Sequence, residues 1–204
     1  MTVRGFTTWL IISSFNHGKK CRVRNNIFLP KIESIDGVNV VWLPSLAYRS
    51  NGFFRLLNIL HYSFGACLAG LYIALIKNRS LVLVGSVAHV FSLFPAFLLS
   101  LFRKSNIFVI DFGELWPEVL ILNGTISENS VVYKIIKSLM EFFSNRSDLI
   151  LATSNDATNI LCQKYPDKNV INFPPTLEPN LEFSKCDMDN ERLVYFGSLD
   201  KTYP

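Results

Sequence analysis

Cysteines are few in this chain, and their spacing argues against two kinds of site. The four cysteines among 204 residues are scattered, with no Cys-x-x-Cys pair and no histidine at zinc-ligand spacing. A disulfide-stapled secreted scaffold and a structural zinc site are therefore disfavoured. We expect reduced thiols in a cytosolic protein that uses no metal.

Two sequence signatures are also missing. The short apolar run after Arg4 is not followed by a small-residue cleavage site, so we expect no secretory signal peptide. No glycine-rich phosphate-binding fingerprint follows any predicted strand. The sequence therefore gives no indication of a secreted protein or of a standard dinucleotide-binding loop.

Acidic residues are outnumbered, with 16 carboxylates against 20 lysines and arginines and a formal charge of +4. The excess is concentrated at Lys19, Lys20, Arg22 and Arg24. This cluster could attract phosphates or anionic lipid head groups, or could simply be a solvated loop. No aromatic interleaving or recognisable nucleic-acid module surrounds it, so nucleic acid is not an expected partner.

Apolar residues, in contrast, make up half of the sequence, and 17 residues are phenylalanine. The longest apolar stretch, residues 53–76, is long enough to cross a bilayer, which needs about 20 residues. Within it the small residues 65, 66, 69 and 70 would let a helix approach a sheet closely, and Arg55, Asn58 and His61 share one side of that helix. A buried helix, a helix lying in a membrane interface and a transmembrane helix remain open alternatives.

The chain alternates between strand-like and helix-like patterns. This alternation predicts an α/β fold with a doubly wound, mostly parallel, Rossmann-like sheet. The strands are expected at residues 8–14, 38–43, 81–84, 106–110, 148–153 and 169–172, and the helices at 53–76, 87–102, 130–143 and 155–164. We expect one domain over residues 1–173, a proline-containing polar linker over 174–191, and the start of a second domain over 192–204.

The predicted helix at 87–102 contains Pro95 and is expected to kink there. Gly85 and Ser86 follow the strand at 81–84 and are expected to open this helix. Free backbone donors at a helix start favour anions, so the turn could bind a substrate phosphate. The alternative is that Ser86 only caps the helix.

The most informative feature is the acidic segment, residues 111–118, with the sequence Asp-Phe-Gly-Glu-Leu-Trp-Pro-Glu. It follows a short apolar strand that is expected to be buried on both faces. Ligands of open α/β sheets bind beyond the carboxyl ends of such strands. The carboxylates of Asp111, Glu114 and Glu118 are therefore placed for chemistry at the rim of an active site.

The order of these features resembles the N-terminal domain of the family 4 glycosyltransferases, which have the two-domain GT-B architecture. The most specific match is Leu115-Trp116-Pro117-Glu118, which is similar to the Asp-Leu-Trp-Pro-(Glu/Asp) motif of polysaccharide-building members such as fucosamine transferases, with Glu114 at the position of the usual Asp. Other matching segments lie at residues 10–17, 35–40, 151–154 and 193–197.

The resemblance implies a retaining hexosyltransferase whose N-terminal domain holds the acceptor while a C-terminal domain holds a nucleotide sugar as co-substrate, without cofactor or metal. It implies that Glu114 first, and Asp111 with it, act at the reacting sugar. Glu118 would orient sugar hydroxyls or stabilise a helix start, and Trp116 would pack or form a sugar platform. His17 would bind at the rim of an adjacent strand or be solvated.

The chain departs from the family at both ends, because a first strand and most of the donor domain are not found in the sequence. We expect an incomplete transferase for cell-surface polysaccharide on a lipid-linked glycan acceptor, cytoplasmic and peripheral to the inner face of the cell membrane. An alternative is a non-catalytic module that docks on a separate donor-binding subunit. A third interpretation is an integral membrane protein that uses residues 53–76 as its span.

Overall fold

The computed structural model describes residues 7–17, 19–25, 28–48, 52–77 and 80–175. The predicted linker at 174–191, apart from its first two residues, and the predicted start of a second domain at 192–204 lie outside these ranges. The strands are β1 Trp9–Ser13, β2 Phe15–Asn16, β3 Cys21–Arg22, β4 Lys31–Ile35, β5 Val38–Leu43, β6 Val82–Ser86, β7 Ile107–Phe112, β8 Leu149–Ala152 and β9 Val170–Asn172. The helices are α1 Phe53–Lys77, α2 Leu93–Ser100, α3 Glu118–Leu122, α4 Val131–Arg146 and α5 Asn155–Lys164.

The larger sheet has four parallel strands in the order β6-β7-β8-β9. Each successive pair is joined by a segment that contains at least one helix, the connection that parallel neighbours require. The central strand β7 buries Phe108, Val109 and Ile110 almost completely. A mixed α/β fold built on a parallel sheet is thereby confirmed.

The single continuous sheet expected from the sequence is found only in part. Strands β1, β5 and β4 form a separate sheet, in which β1 is parallel and β4 antiparallel to β5. The Thr8 carbonyl and the Ser14 amide form hydrogen bonds with β5. Because backbone groups of successive residues point to opposite edges of a strand, the N–H and C=O of Ile11 point to the other edge of β1. There the Ile11 carbonyl accepts a hydrogen bond from the Tyr62 hydroxyl of α1 at 2.9 Å. Within the described residues, the Tyr62 side chain therefore occupies the edge of β1 that would have to pair with another strand for the two sheets to be continuous.

Two apolar cores correspond to the two sheets. The larger core is centred on the parallel sheet, and the smaller one joins β5 to α1 through Val41, Leu43 and Ala66. Helix α1 connects the two halves because it also packs against α2. A Cβ at Gly70 would lie 2.2 Å from Leu99 Cδ1, so the two helices approach closely at this glycine. The Ser63 hydroxyl adds a bond of 3.0 Å to the Phe91 carbonyl.

Helix α1 is long and apolar enough, by length and composition alone, to cross a membrane, with a mean hydropathy of 1.8. Only 28% of its most apolar window is buried. A fully buried helix is therefore excluded. One side of α1 covers the β5 sheet and α2, and the interface-lying and membrane-spanning interpretations both stay open.

The region after β6 differs from the prediction. Gly85 and Ser86 end the strand and do not open a helix, because the chain first forms a short 3-10 helix, Val90–Ser92, and α2 begins only at Leu93. The predicted kink at Pro95 is wrong for the same reason. Pro95 lies in the first turn of α2, where a backbone N–H has no helical partner to lose.

Candidate functional site

Asp111 lies where the sequence places it, near the carboxyl end of the central strand β7. In the parallel sheet it is opposite Ser86 on one side and Leu151 on the other. Its carbonyl accepts a hydrogen bond of 2.9 Å from the Val87 amide, which keeps the end of β6 against β7. Asp111 and Ser86, two of the predicted site residues, are therefore neighbours at one edge of the sheet.

Glu114 lies in the exposed turn that follows β7. The Glu114 carbonyl accepts from the Trp116 amide at 3.0 Å, which holds the turn in shape. Among the described residues, the carboxylates of Asp111 and Glu114 have neither an ion-pair partner nor a hydrogen-bond donor. Both groups are therefore available to a ligand at the rim.

Trp116 and Glu118, in contrast, have structural contacts. Trp116 is half-buried and packs against the core of the parallel sheet. Glu118 begins α3 and its Oε1 atom lies 2.7 Å from Nζ of Lys164 on α5. Burial alone would lower the pKa of Lys164, but the hydrogen bond that Lys164 donates to Glu118 and nearby negative charge raise that pKa above its ordinary value. The Glu118 carboxylate thus links α3 to α5.

Gly85 also has a packing role. A Cβ at this position would come within 2.9 Å of Leu93 Cδ2, so the glycine lets α2 lie directly on β6. The exposed Ser86 carries a carbonyl that accepts from the Ser92 hydroxyl at 2.6 Å. Neither residue lies at a helix start, so the helix-terminal donors on which the anion-binding prediction depended are not located at Gly85 and Ser86.

His17 directly follows the short strand β2, which comes after β1 in the chain, and is held by contacts with aromatic side chains. Its Nδ1 atom lies 2.7 Å from the Tyr48 hydroxyl, and its ring packs edge-on against Phe15. Partial burial lowers the pKa of His17, and the positive charges of Arg55 and Lys20 lower it further. His17 is therefore an oriented side chain whose protonated form is disfavoured by its surroundings.

His89 is a functional candidate that the sequence analysis did not identify. It follows β6, is half-buried, and its Nδ1 atom has no partner among the described residues. Burial lowers the pKa of His89 to about 4, and the charges of His17 and Arg55 act in the same direction. The Tyr48 hydroxyl contacts His17, and the charges of Arg55 and protonated His17 act on His89. We name these four residues the histidine–arginine cluster.

The available sequence signal was the position of each histidine after an apolar strand. His17 comes soon after β1, and His89 soon after β6. The carboxyl ends of parallel strands tend to meet at one side of an α/β fold. Along the chain, His89 lies three residues after Ser86, which pairs with Asp111 at the acidic rim.

The arrangement has a division of charge that suits a polar, anionic substrate. Arg55 and the imidazoles can contact phosphate oxygens, while Asp111 and Glu114 can accept hydrogen bonds from hydroxyl groups. No group of three or more His, Cys, Asp or Glu side chains in the described ranges is placed to hold a metal ion. The described residues therefore include groups that can contact phosphate oxygens and groups that can accept hydrogen bonds from hydroxyls.

No protein-family model matches the chain, and no curated protein matches its sequence.

The environment of His89 predicts a pH-dependent stability. Its pKa of about 4 lies below the ordinary value of 6.5, so the unfolded chain binds a proton more readily. Stability should fall as the pH drops from 6.5 towards 4, by roughly 2 kcal/mol at pH 5 from this residue. Urea denaturation measures the free energy of unfolding at pH 7.5 and pH 5. The decrease between the two pH values should be smaller by that amount for His89→Asn than for the unaltered chain. Equal losses would contradict the assignment, and the exposed His61→Asn serves as the control.

Proposed function

We propose that this chain is the acceptor-binding half of a retaining, nucleotide-sugar-dependent glycosyltransferase of the GT-B type, related to family 4. It acts in assembly of a cell-surface polysaccharide on a lipid-linked glycan. In this proposal Glu114 and Asp111 are the catalytic residues, and His17, Ser86 and Trp116 contact the substrate. The nucleotide sugar is held by a donor domain or by a separate donor-binding subunit.

The observation that supports this proposal is that the acidic rim and His89 follow neighbouring parallel strands, β7 and β6. Glycosyl transfer passes through an oxocarbenium-like centre and releases a diphosphate. Preorganised groups aimed at developing charge are the main source of catalytic rate. Carboxylates that have no partner among the described residues, together with an arginine and two imidazoles, are suited to these two tasks.

A peripheral position at the cytoplasmic membrane surface is part of the same proposal. Helix α1 exposes a large apolar surface, and the basic cluster Lys19, Lys20, Arg22 and Arg24 lies earlier in the chain. A helix with apolar residues on an exposed side, next to basic residues, binds in the interface of an anionic bilayer. This position would bring the rim close to an acceptor anchored in lipid.

A second candidate, a non-catalytic acceptor module, is favoured by one observation. Catalytic carboxylates are usually oriented by neighbouring groups, whereas Asp111 and Glu114 have no such partner among the residues that the structure describes. In this case the chain would bind the lipid-linked glycan and dock on a donor-binding subunit without taking part in the reaction.

The two candidates are separated by a reconstitution assay. The full chain is combined with a separately produced donor domain of a transferase that carries the Leu-Trp-Pro-Glu motif, and transfer from labelled UDP-N-acetylhexosamines to a lipid-linked glycan is measured. Sugar transfer that requires both this chain and the donor domain supports the glycosyltransferase proposal. Binding of the acceptor without transfer supports the non-catalytic module. If the chain shows no acceptor binding and no transfer, both candidates are overturned.

A further inference from the structure

The parallel sheet ends at an open strand edge on β6, which pairs only with β7 among the described strands. The Leu81 carbonyl accepts a hydrogen bond from β7 and the Val87 amide donates one to it, at 2.9 Å each. Because backbone groups of successive residues point to opposite edges of a strand, those of Val82 and Val84 point away from β7. This edge therefore offers backbone N–H and C=O groups to a further strand.

Strand β1 has a matching edge in the other sheet. The Ile11 N–H and C=O point away from β5, and the C=O accepts a hydrogen bond from the Tyr62 hydroxyl of α1. The next residue of α1, Ser63, donates a bond of 3.0 Å to the Phe91 carbonyl in the short 3-10 helix that follows β6. Consecutive residues of one helix therefore connect the open edge of β1 with the turn after β6.

Each of the two edge strands is covered by a helix on one face. A Cβ at Gly85 would lie 2.9 Å from Leu93, so this face of β6 lies against α2, and Ile11 of β1 packs in the core that includes α1. Because side chains alternate along a strand, Val84 and Leu10 lie on the opposite faces, where they are 56% and 47% exposed. Strands of parallel sheets are normally covered on both faces, so apolar surface beside both edges lacks a cover in the described structure.

We propose that an extended strand of another polypeptide inserts between β1 and β6 and joins the two sheets into one. Addition of a strand at an open edge satisfies backbone groups that no apolar ligand or membrane can pair. The Ile11 carbonyl then exchanges the Tyr62 hydroxyl for an N–H of the inserted strand. The inference goes beyond the proposed function, because it rests on the two strand edges alone.

The edge strands also indicate the chemistry of the partner segment. Strands β1 and β6 each have five residues, and neither contains a charged side chain. A strand between them contacts apolar neighbours on both of its faces, as the central strand of a parallel sheet does. The partner segment is therefore an uncharged run of about five β-branched or aliphatic residues, the composition typical of a buried parallel strand.

A labelled peptide of this chemistry tests the proposal with the full chain. The probe is a fluorescein-labelled run of alternating valines and isoleucines, flanked by lysines for solubility, and fluorescence anisotropy should show saturable binding. A control peptide with N-methyl groups on the isoleucines keeps the side chains but loses the N–H donors along one edge. It should bind at least about tenfold more weakly, the scale of losing two backbone hydrogen bonds. Absence of binding, or equal binding of the two peptides, would overturn the proposal.

Two matched variants of the chain locate the bound peptide. Val84 on the edge of β6 is 56% exposed and Val132 on α4 is 55% exposed, so a lysine at either position should leave the fold intact. Lysine on an edge strand opposes the addition of another strand, so Val84→Lys should weaken peptide binding at least about tenfold. Val132→Lys should bind as the unaltered chain does. If the two variants bind the peptide equally well, the edge of β6 is not the site.

Tyr62→Phe separates strand insertion from adsorption of the peptide to the exposed apolar side of α1. Without the hydroxyl, the Ile11 carbonyl no longer bonds to the helix, so the peptide should bind about threefold more tightly or better. Bound peptide should also slow hydrogen exchange at the amides of Val82 and Val84. Peptide binding that changes in neither measurement would show adsorption and would overturn the proposal.

Analytical ultracentrifugation of the unaltered chain tests the other possible occupant, a second copy of this chain. The proposal predicts no self-association that depends on the edge of β6. Self-association that Val84→Lys abolishes and Val132→Lys does not would show that the edge pairs with a second copy, and would overturn the assignment to another polypeptide.

Discussion

Replacing Ile110 with alanine should lower the free energy of unfolding by about 2–5 kcal/mol, the usual cost of truncating a fully buried isoleucine. Ile110 is completely buried at the centre of the parallel sheet, in the strand that ends at the acidic segment. Its side chain belongs to the core that also contains Phe108 and Met140. Removing it leaves a cavity that a sheet held by neighbours on both sides cannot close.

The matched control is Ile107→Ala, in the same strand. Ile107 is 44% exposed, so the same truncation should cost less than about 1 kcal/mol, as expected for a partly solvated site. Urea denaturation followed by circular dichroism measures both variants, with the midpoint shifted and the slope unchanged. Equal costs for Ile107→Ala and Ile110→Ala would contradict the placement of β7 at the centre of the sheet.

Glu114→Gln should reduce transfer in the reconstituted system by about 100-fold or more, the scale of losing one positioned catalytic group. Asp111→Asn should act in the same direction. Both substitutions preserve size and remove only the charge, and neither carboxylate has a partner in the described structure whose loss would unfold the chain. The unfolding midpoint should therefore change little while the rate falls.

Glu118→Gln is the comparison that separates a site role from a structural role. Its carboxylate is paired with Lys164, so the variant should lose up to about 1 kcal/mol of stability and keep its rate within a few-fold. If Glu118→Gln abolished transfer while Glu114→Gln did not, the assignment of the catalytic carboxylate would be wrong.

The elements with strong local signals were predictable from sequence. The strand at Val38–Leu43 and the helix at Asn155–Lys164 match the prediction residue for residue. The strand is bounded by a turn in which Asp36 and Gly37 have positive φ, and the helix by a Ser154 cap that accepts from the Ala157 amide. Local turn and cap chemistry therefore sufficed to place these elements.

The pairing of the strands could not be predicted in the same way. It depends on contacts between distant parts of the chain, such as the bond from Tyr62 to the free edge of β1. The late start of α2 has a similar origin, since the Ser92 hydroxyl bonds to the carbonyls of Ser86 and His89 and helps hold the intervening residues in a turn. No periodicity in the sequence carries this information.

In the candidate site, too, the sequence predicts the positions that depend on local signals but not those that depend on contacts between distant parts of the chain. The position of Asp111 followed from one buried strand and a general rule about α/β sheets. The position of His89 beside His17 and Arg55 depends on how the two sheets are held by α1, and a single histidine after a strand is too common a signal to reveal it. The sequence places Glu118 among the candidate site residues, whereas in the structure its carboxylate is paired with Lys164 on α5.

Titration calorimetry with the two proposed substrates tests the central claim most directly, that this chain holds the acceptor and not the donor. The full chain is titrated with a short-chain isoprenyl diphosphate-linked N-acetylhexosamine and, separately, with UDP-N-acetylhexosamines. We expect saturable binding of the lipid-linked sugar, weakened by Asp111→Asn, and no saturable binding of the nucleotide sugars. Tight binding of a nucleotide sugar, with none of the lipid-linked sugar, would contradict the account.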